Sequence, residues 1–131
     1  MIRVLIVDDR LSIRVGLRAL FDAQPDIGVC GLASSGEAGL VLAATLDPDI
    51  VVMDLVMPGM GGVAATRAIK ESRMECRVLV LSWQWSSEQV ETALRAGASL
   101  FVRKSERPEV LLEAVRSLVS EGTGPVEGTG A

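Results

Sequence analysis

The sequence predicts an α/β domain built on a parallel sheet with helices on both faces. Three observations carry that expectation. Short apolar runs recur at regular intervals, segments of helical length and period separate them, and 131 residues make one ordinary domain rather than two sizeable ones. With 49% hydrophobic and 23% charged residues and a mean hydropathy of +0.38, the chain holds enough apolar side chains for a packed core.

The runs, in order, are Ile2–Val7, Ile27–Ala33, Ile50–Met53, Val78–Leu81 and Ser99–Val102. The first, third and fourth are rich in Val, Ile and Leu without alternation, as suits strands buried on both faces of a parallel sheet. Gly28 and Gly31 interrupt the second, which places it near an edge. Between the runs, Leu11–Ala23 sets Leu11, Val15, Ala19 and Leu20 at helical spacing and leaves Arg14 and Arg18 elsewhere on the surface. Glu37–Leu46 is rich in Ala and Leu and stops before Asp47-Pro48, and Val63–Ser72 follows a glycine-rich turn. Ser86–Ala96 opens with a capping-box spacing, Ser86 to Gln89, and closes at Gly97. Pro108–Val119 starts with proline in its first turn and carries Val110, Leu111, Ala114, Val115 and Leu118 as a core stripe. Five strands alternating with five helices, joined by right-handed crossovers, make a flavodoxin-like (βα)5 doubly wound sheet of order 2-1-3-4-5. That domain is expected over residues 1–120. From Glu121 to Ala131 the chain is rich in glycine with Pro125 and almost nothing apolar, and reads as a flexible tail or linker.

Composition excludes whole classes of chemistry. There is no histidine and no tyrosine, which removes Ser-His-Asp and Cys-His nucleophilic sites, histidine-based zinc or copper sites, and imidazole acid–base work. A net charge of −4 and a pI near 4.8 argue against nucleic-acid binding by this chain itself. Cys30 and Cys76 lack metal or redox spacing and read as reduced, partly buried thiols. No signal peptide or spanning segment is visible, so the chain reads as cytoplasmic, with no membrane partner.

In an open parallel sheet, ligands bind beyond the carboxyl ends of the strands where strand order reverses. Asp8 and Asp9 follow the first strand, Asp54 the third, Ser82 ends the fourth, and Lys104 follows the fifth. Three carboxylates, a hydroxyl and an amine therefore converge on one end of the sheet. Close carboxylates stay ionised together only with a cation among them, and an all-oxygen set favours Mg²⁺ or a similar hard ion. A metal, a lysine and a hydroxyl around a carboxylate suit a phosphoryl group there. One carboxylate attacks phosphorus to give an acyl phosphate, and the others hold the metal.

Val7-Asp8-Asp9-Arg10, the segment Met53-Asp54-Leu55-Val56-Met57-Pro58-Gly59, Leu81-Ser82 and the stretch from Ala96 to Lys104 together resemble the receiver domain of two-component response regulators. The resemblance covers about residues 2–120. It implies that Asp54 is the phosphoacceptor, that Asp9, Asp54 and the backbone carbonyl of Val56 bind Mg²⁺, and that Asp8 acts through a metal-bound water. It also implies that Ser82 and Lys104 contact the phosphoryl oxygens, with Ser82 and Phe101 as the switch pair. A sensor histidine kinase would be the donor, docking beside the first helix near Leu11, Arg14 and Val15. Phosphorylation would favour a homodimer or an output contact. The chain would then be no enzyme beyond its own phosphorylation and slow dephosphorylation. Ser105 stands where many receivers have proline, and Leu100 where glycine is frequent. The non-proline after Lys104 and the Pro58-Gly59-Met60-Gly61-Gly62 turn resemble receivers attached to helix-turn-helix output domains, so DNA would be reached only through a domain outside this chain.

Each residue also has a plainer reading. Asp8-Asp9 alone is a solvated turn, Ser82 a turn residue, Lys104 a surface lysine and Phe101 a half-buried aromatic; their shared register at one end of the sheet is what favours function. Trp83 and Trp85 read most plainly as core packing, but a loop seldom buries two indoles, so one is a candidate partner surface. A haloacid-dehalogenase-type phosphatase needs a second acid two residues after its nucleophile, where Arg10 stands. A flavodoxin lacks its Ser/Thr-rich phosphate loop here, and Gly59, Gly61 and Gly62 fit no nucleotide-binding spacing. A pseudo-receiver, acting as a phosphorylation-independent interaction module, is the remaining alternative.

Overall fold

A computed structural model describes residues 1–72 and 75–121. Its strands are β1 (Ile2–Val7), β2 (Ile27–Ala33), β3 (Ile50–Asp54), β4 (Arg77–Ser82) and β5 (Leu100–Arg103). The helices are α1 (Leu11–Asp22), α2 (Gly36–Leu46), α3 (Gly62–Ser72), α4 (Ser87–Arg95) and α5 (Pro108–Glu121). All strand pairs are parallel and the order is β2-β1-β3-β4-β5, as expected from the pattern. The glycine-bearing second run is indeed an edge strand, with a register shift opposite Val4 and Leu5. Glu121, expected to begin the tail, ends α5 instead, and residues 122–131 lie outside the described residues.

The sheet is sandwiched between two apolar layers. On one face Val4, Ile6, Ile50, Val52, Leu79 and Leu100 pack against Phe21 of α1 and Leu111, Val115 and Leu118 of α5. On the other, Leu5, Val7, Val51, Met53, Val78, Val80 and Phe101 pack against Ala43, Ala65, Ile69 and Ala93 of α2, α3 and α4. The central strands therefore have no polar face to alternate with, which is why their sequences read as unbroken apolar runs. No helix among the described residues is long and apolar enough to cross a membrane.

Local signals end most helices as read. Ser86 caps α4 by accepting the backbone N–H of Gln89 at 3.1 Å, but the Gln89 side chain donates to Gln84 instead of returning to Ser86, so only half the capping box forms. Asp47 closes α2 in the left-handed region at φ 53°. The expectation for α1 needs correction. Leu11, Val15 and Ala19 share a face, but that face is exposed, with Leu11 at 66% and Val15 at 56%. Leu17, Leu20 and Phe21 turn toward the core instead, and Ile13 is half-buried. Both stripes are apolar, so spacing alone does not choose between them; the approach of α5 and the sheet does.

Candidate functional site

Backbone bonds tie the carboxyl ends of neighbouring strands, β1 to β2, β3 to β4 and β5 to β4. The Asp8 N–H donates to the carbonyl of Ala33, Leu55 to that of Leu81, and Lys104 to that of Ser82 at 2.7 Å. The loops after the strands are thus held by continuations of the sheet's own ladder. At the start of α3, Gly62 donates to the Leu55 carbonyl at 2.9 Å. A Cβ at Gly62 would strike the Asp54 carbonyl oxygen and sit 2.7 Å from the Leu55 Cα. Gly62 therefore serves close approach of α3 to the end of β3, a role that glycine spacing did not reveal.

Side chains then converge. Carboxylate oxygens of Asp8, Asp9 and Asp54 all lie within 4.8 Å of one another. Lys104 Nζ bridges two of them, donating to Asp8 Oδ2 at 2.8 Å and Asp54 Oδ1 at 2.9 Å. Asp8 is 1% exposed and Asp54 6%. Asp8 also accepts the Arg10 N–H on Oδ1 at 2.9 Å, and its carbonyl accepts from the Arg14 guanidinium at 2.9 Å. Ser82 is buried and its Oγ accepts the Gln84 N–H at 3.2 Å. A cavity of about 130 Å³ opens beside Asp54, lined by Arg10, Val56, Ser82, Trp83, Gln84 and Lys104. Asp8, Asp9, Asp54, Ser82 and Lys104 are thus brought to one place, and Val56 borders it. The pairing of Lys104 with Asp8, across 96 residues, was not legible in the sequence.

Phe101 does not line this cavity. It lies 3% exposed in the layer facing α2, α3 and α4, with the Trp85 ring edge-on at 5.5 Å. The Arg103 guanidinium stands 5.1 Å from the centre of the Trp85 ring. Trp83 and Trp85 are both substantially exposed, at 52% and 42%, so the loop presents two indoles and not one. Asp22, Asp26 and Asp49 lie at the opposite end of the sheet. There they accept from the Val29 N–H, the Arg116 guanidinium and the Arg3 N–H.

The arrangement fits a hard divalent cation: three oxygen donors, two of them buried, close enough to share one ion, with no nitrogen or sulfur ligand among them. Burial pushes the Asp54 carboxyl above its ordinary value, and Lys104 pulls only part of the way back. Asp8 and Asp9 add to the upward push. The charged form of Asp54 is therefore disfavoured by folding, and its stability cost appears as pH rises through the raised value. In chelator, Asp54→Asn is expected to be more stable than the parent at pH 7, with the advantage shrinking as pH falls through that value. Denaturant melts across the range check this; a gap that widens on acidification would contradict it.

A parallel sheet with this strand order, and three carboxylates with a lysine at its switch point, define a receiver-type signalling domain. The chain belongs to the response regulator receiver domain family, whose model matches residues 4–116. It is 39% identical over 127 residues to the transcriptional regulatory protein LiaR of Bacillus subtilis, a match covering 97% of this chain and 60% of that protein. Over 129 residues it is 39% identical to the nitrate/nitrite response regulator protein NarL of Escherichia coli, covering 94% of this chain and 60% of that one. Among solved structures, a LuxR-family two-component response regulator from Aurantimonas superposes with a TM-score of 0.89 at 35% identity, covering 95% of this chain and 88% of that one. The response regulator domain of Thermotoga maritima CheB gives 0.77 at 31%, covering 93% of each. The chain is a receiver domain of the NarL/LuxR type, a regulator and not a catalyst of a metabolic reaction, and spans about 60% of the length of these curated relatives.

Proposed function

We propose that this receiver accepts a phosphoryl group from a histidine kinase onto Asp54, with Mg²⁺, and thereby switches a dimerisation or output surface in transcriptional control. The observation that supports this reading most is the ion-paired carboxylate cluster opening onto a cavity at the point of strand-order reversal. Asp9, Asp54 and the Val56 carbonyl would hold the metal directly and Asp8 through water. When bound, Mg²⁺ supplies the positive charge that lets these carboxylates remain ionised together and offsets charge on the phosphoryl oxygens.

The chain's own residues do the rest. An Asp54 carboxylate oxygen attacks phosphorus in line, the P–N bond to the donor imidazole breaks, and its electron pair stays with the departing ring. Lys104, already within 2.9 Å of Asp54, turns its ammonium to the new phosphoryl oxygens, and the Ser82 hydroxyl donates to another. Movement of Ser82 at the end of β4 would let Phe101, one strand over, repack beneath Trp85 and alter the α4-β5-α5 face. The exposed Leu11 and Val15 stand beside the pocket as a docking edge for the kinase in the cytoplasm. DNA would be reached only through an output domain outside this chain, which is itself acidic overall.

Incubation with acetyl phosphate and Mg²⁺, followed by intact mass, tests the reading. One phosphoryl adduct is expected on the parent and none on Asp54→Asn; no adduct on either would favour the phosphorylation-independent interaction module. Val56 carries no group to orient an attacking water, so self-dephosphorylation is expected to be slow. Loss of the adduct within seconds of donor removal would refute that.

A further inference from the structure

Arg10 breaks a local rule. It occupies the N-cap of α1 with extended backbone, φ −98° and ψ 122°, and makes no side-chain capping bond. Serine, threonine, aspartate or asparagine is preferred there, because an oxygen satisfies the unpaired N–H groups of the first turn. A cation at this end also opposes the helix dipole. The first turn of α1 carries no acidic residue to offset it. Positions that violate local preference without local compensation are where function is to be sought.

The surroundings supply a reason. The carboxylate of Asp8 takes the Arg10 N–H, which pins the backbone of Arg10 to the acidic cluster. Arg10 is exposed, lines the cavity beside Asp54, and its guanidinium has no hydrogen-bond or ion-pair partner among the described residues. Lys104, by contrast, is held by two carboxylates. Charge balance points the same way. With a divalent cation bound and Asp54 phosphorylated, Asp8, Asp9 and the phosphoryl dianion outweigh the metal and Lys104 by one unit of charge. A guanidinium at the cavity edge cancels it, and its planar fork suits phosphoryl oxygens.

Resting on the phosphoacceptor reading above, we infer that Arg10 is a second phosphoryl-recognition residue, which draws the anionic donor to Asp54 and holds the transferred group. In the transfer it assists from an acyl phosphate, an Asp54 oxygen bonds to phosphorus, the donor's P–O bond breaks, and the donor carboxylate leaves with the electron pair. Arg10 exchanges no proton.

The test compares acetyl phosphate kinetics, with Mg²⁺, for the parent, Arg10→Gln, Arg10→Lys and Arg10→Ser. Loss of one charge-assisted contact is expected to slow Arg10→Gln about tenfold. Its rate should depend less steeply on salt than the parent's, and Arg10→Lys should recover much of the loss. Arg10→Ser separates function from folding: a good N-cap should raise the melting temperature while phosphorylation still slows. Parent-like rates and salt dependence in Arg10→Gln overturn the inference while leaving Asp54 as acceptor. A parent that takes up no phosphoryl group overturns the underlying reading, and the inference with it.

Discussion

Replacing Lys104 by methionine is expected to cost about 3–5 kcal/mol of folding stability in the presence of a chelator. Lys104 is the cation shared by Asp8 and Asp54, and all three side chains are nearly fully buried. Removing the ammonium leaves two carboxylates facing each other in a low-dielectric site, and among the described residues no other side-chain cation is bonded to either carboxylate. Arg14 does not compensate, because its guanidinium is spent on the Asp8 carbonyl and not on the carboxylate. Mg²⁺ should reverse much of the loss. A cation binding only the folded state adds about 2.7 kcal/mol at a hundredfold excess over its dissociation constant. The variant should gain more than the parent, since Lys104 no longer competes with the metal for the same oxygens. Urea melts of both proteins in EDTA and in Mg²⁺ measure this. A variant as stable as the parent in EDTA would show that the ion pairs contribute nothing net.

Gly62→Ala should be nearly as damaging, by about 3 kcal/mol or more, although it adds only one methyl group. The added carbon meets the backbone of Asp54 and Leu55 on the adjoining strand end, and backbone cannot rotate aside as a side chain can. Either α3 moves off the sheet or the end of β3 shifts, and the second would carry Asp54 away from Lys104. Uptake of phosphate from acetyl phosphate should therefore fall along with stability. Gly16→Ala is the control. A Cβ at Gly16, in the exposed middle of α1, meets nothing within 4 Å. Alanine should stabilise that helix by about 0.5–1 kcal/mol. Equal melting temperatures for the two variants would mean that the close approach at Gly62 is not a real constraint.

These predictions depend differently on the sequence. Asp8, Asp9, Asp54, Ser82 and Lys104 were each found from their places after apolar runs, because in a parallel sheet every strand delivers its C-terminal residue to the same edge. From the sequence, Arg10 reads as the last residue of the Val7-Asp8-Asp9-Arg10 motif and as the residue that excludes a phosphatase, not as a ligand. Its unpaired guanidinium is a property of what surrounds it, and no spacing encodes that. The same holds for Gly62. A glycine in a Pro-Gly-Met-Gly-Gly turn reads as conformational freedom, yet in the structure its conformation is ordinary and its lack of a side chain is what matters.

The amino-acid sequence by itself determined the order of strands and helices, the doubly buried sheet and the end of it that holds the acidic cluster. Those follow from hydrophobic period and chain connectivity, which are local or topological. Which face of α1 turns inward was decided only by tertiary packing, as was the bridging of Asp8 and Asp54 by one ammonium and the seating of Trp85 against Phe101. Each is a contact between segments distant in the chain. Its energy depends on separation and burial in three dimensions, and residue type and spacing do not specify either.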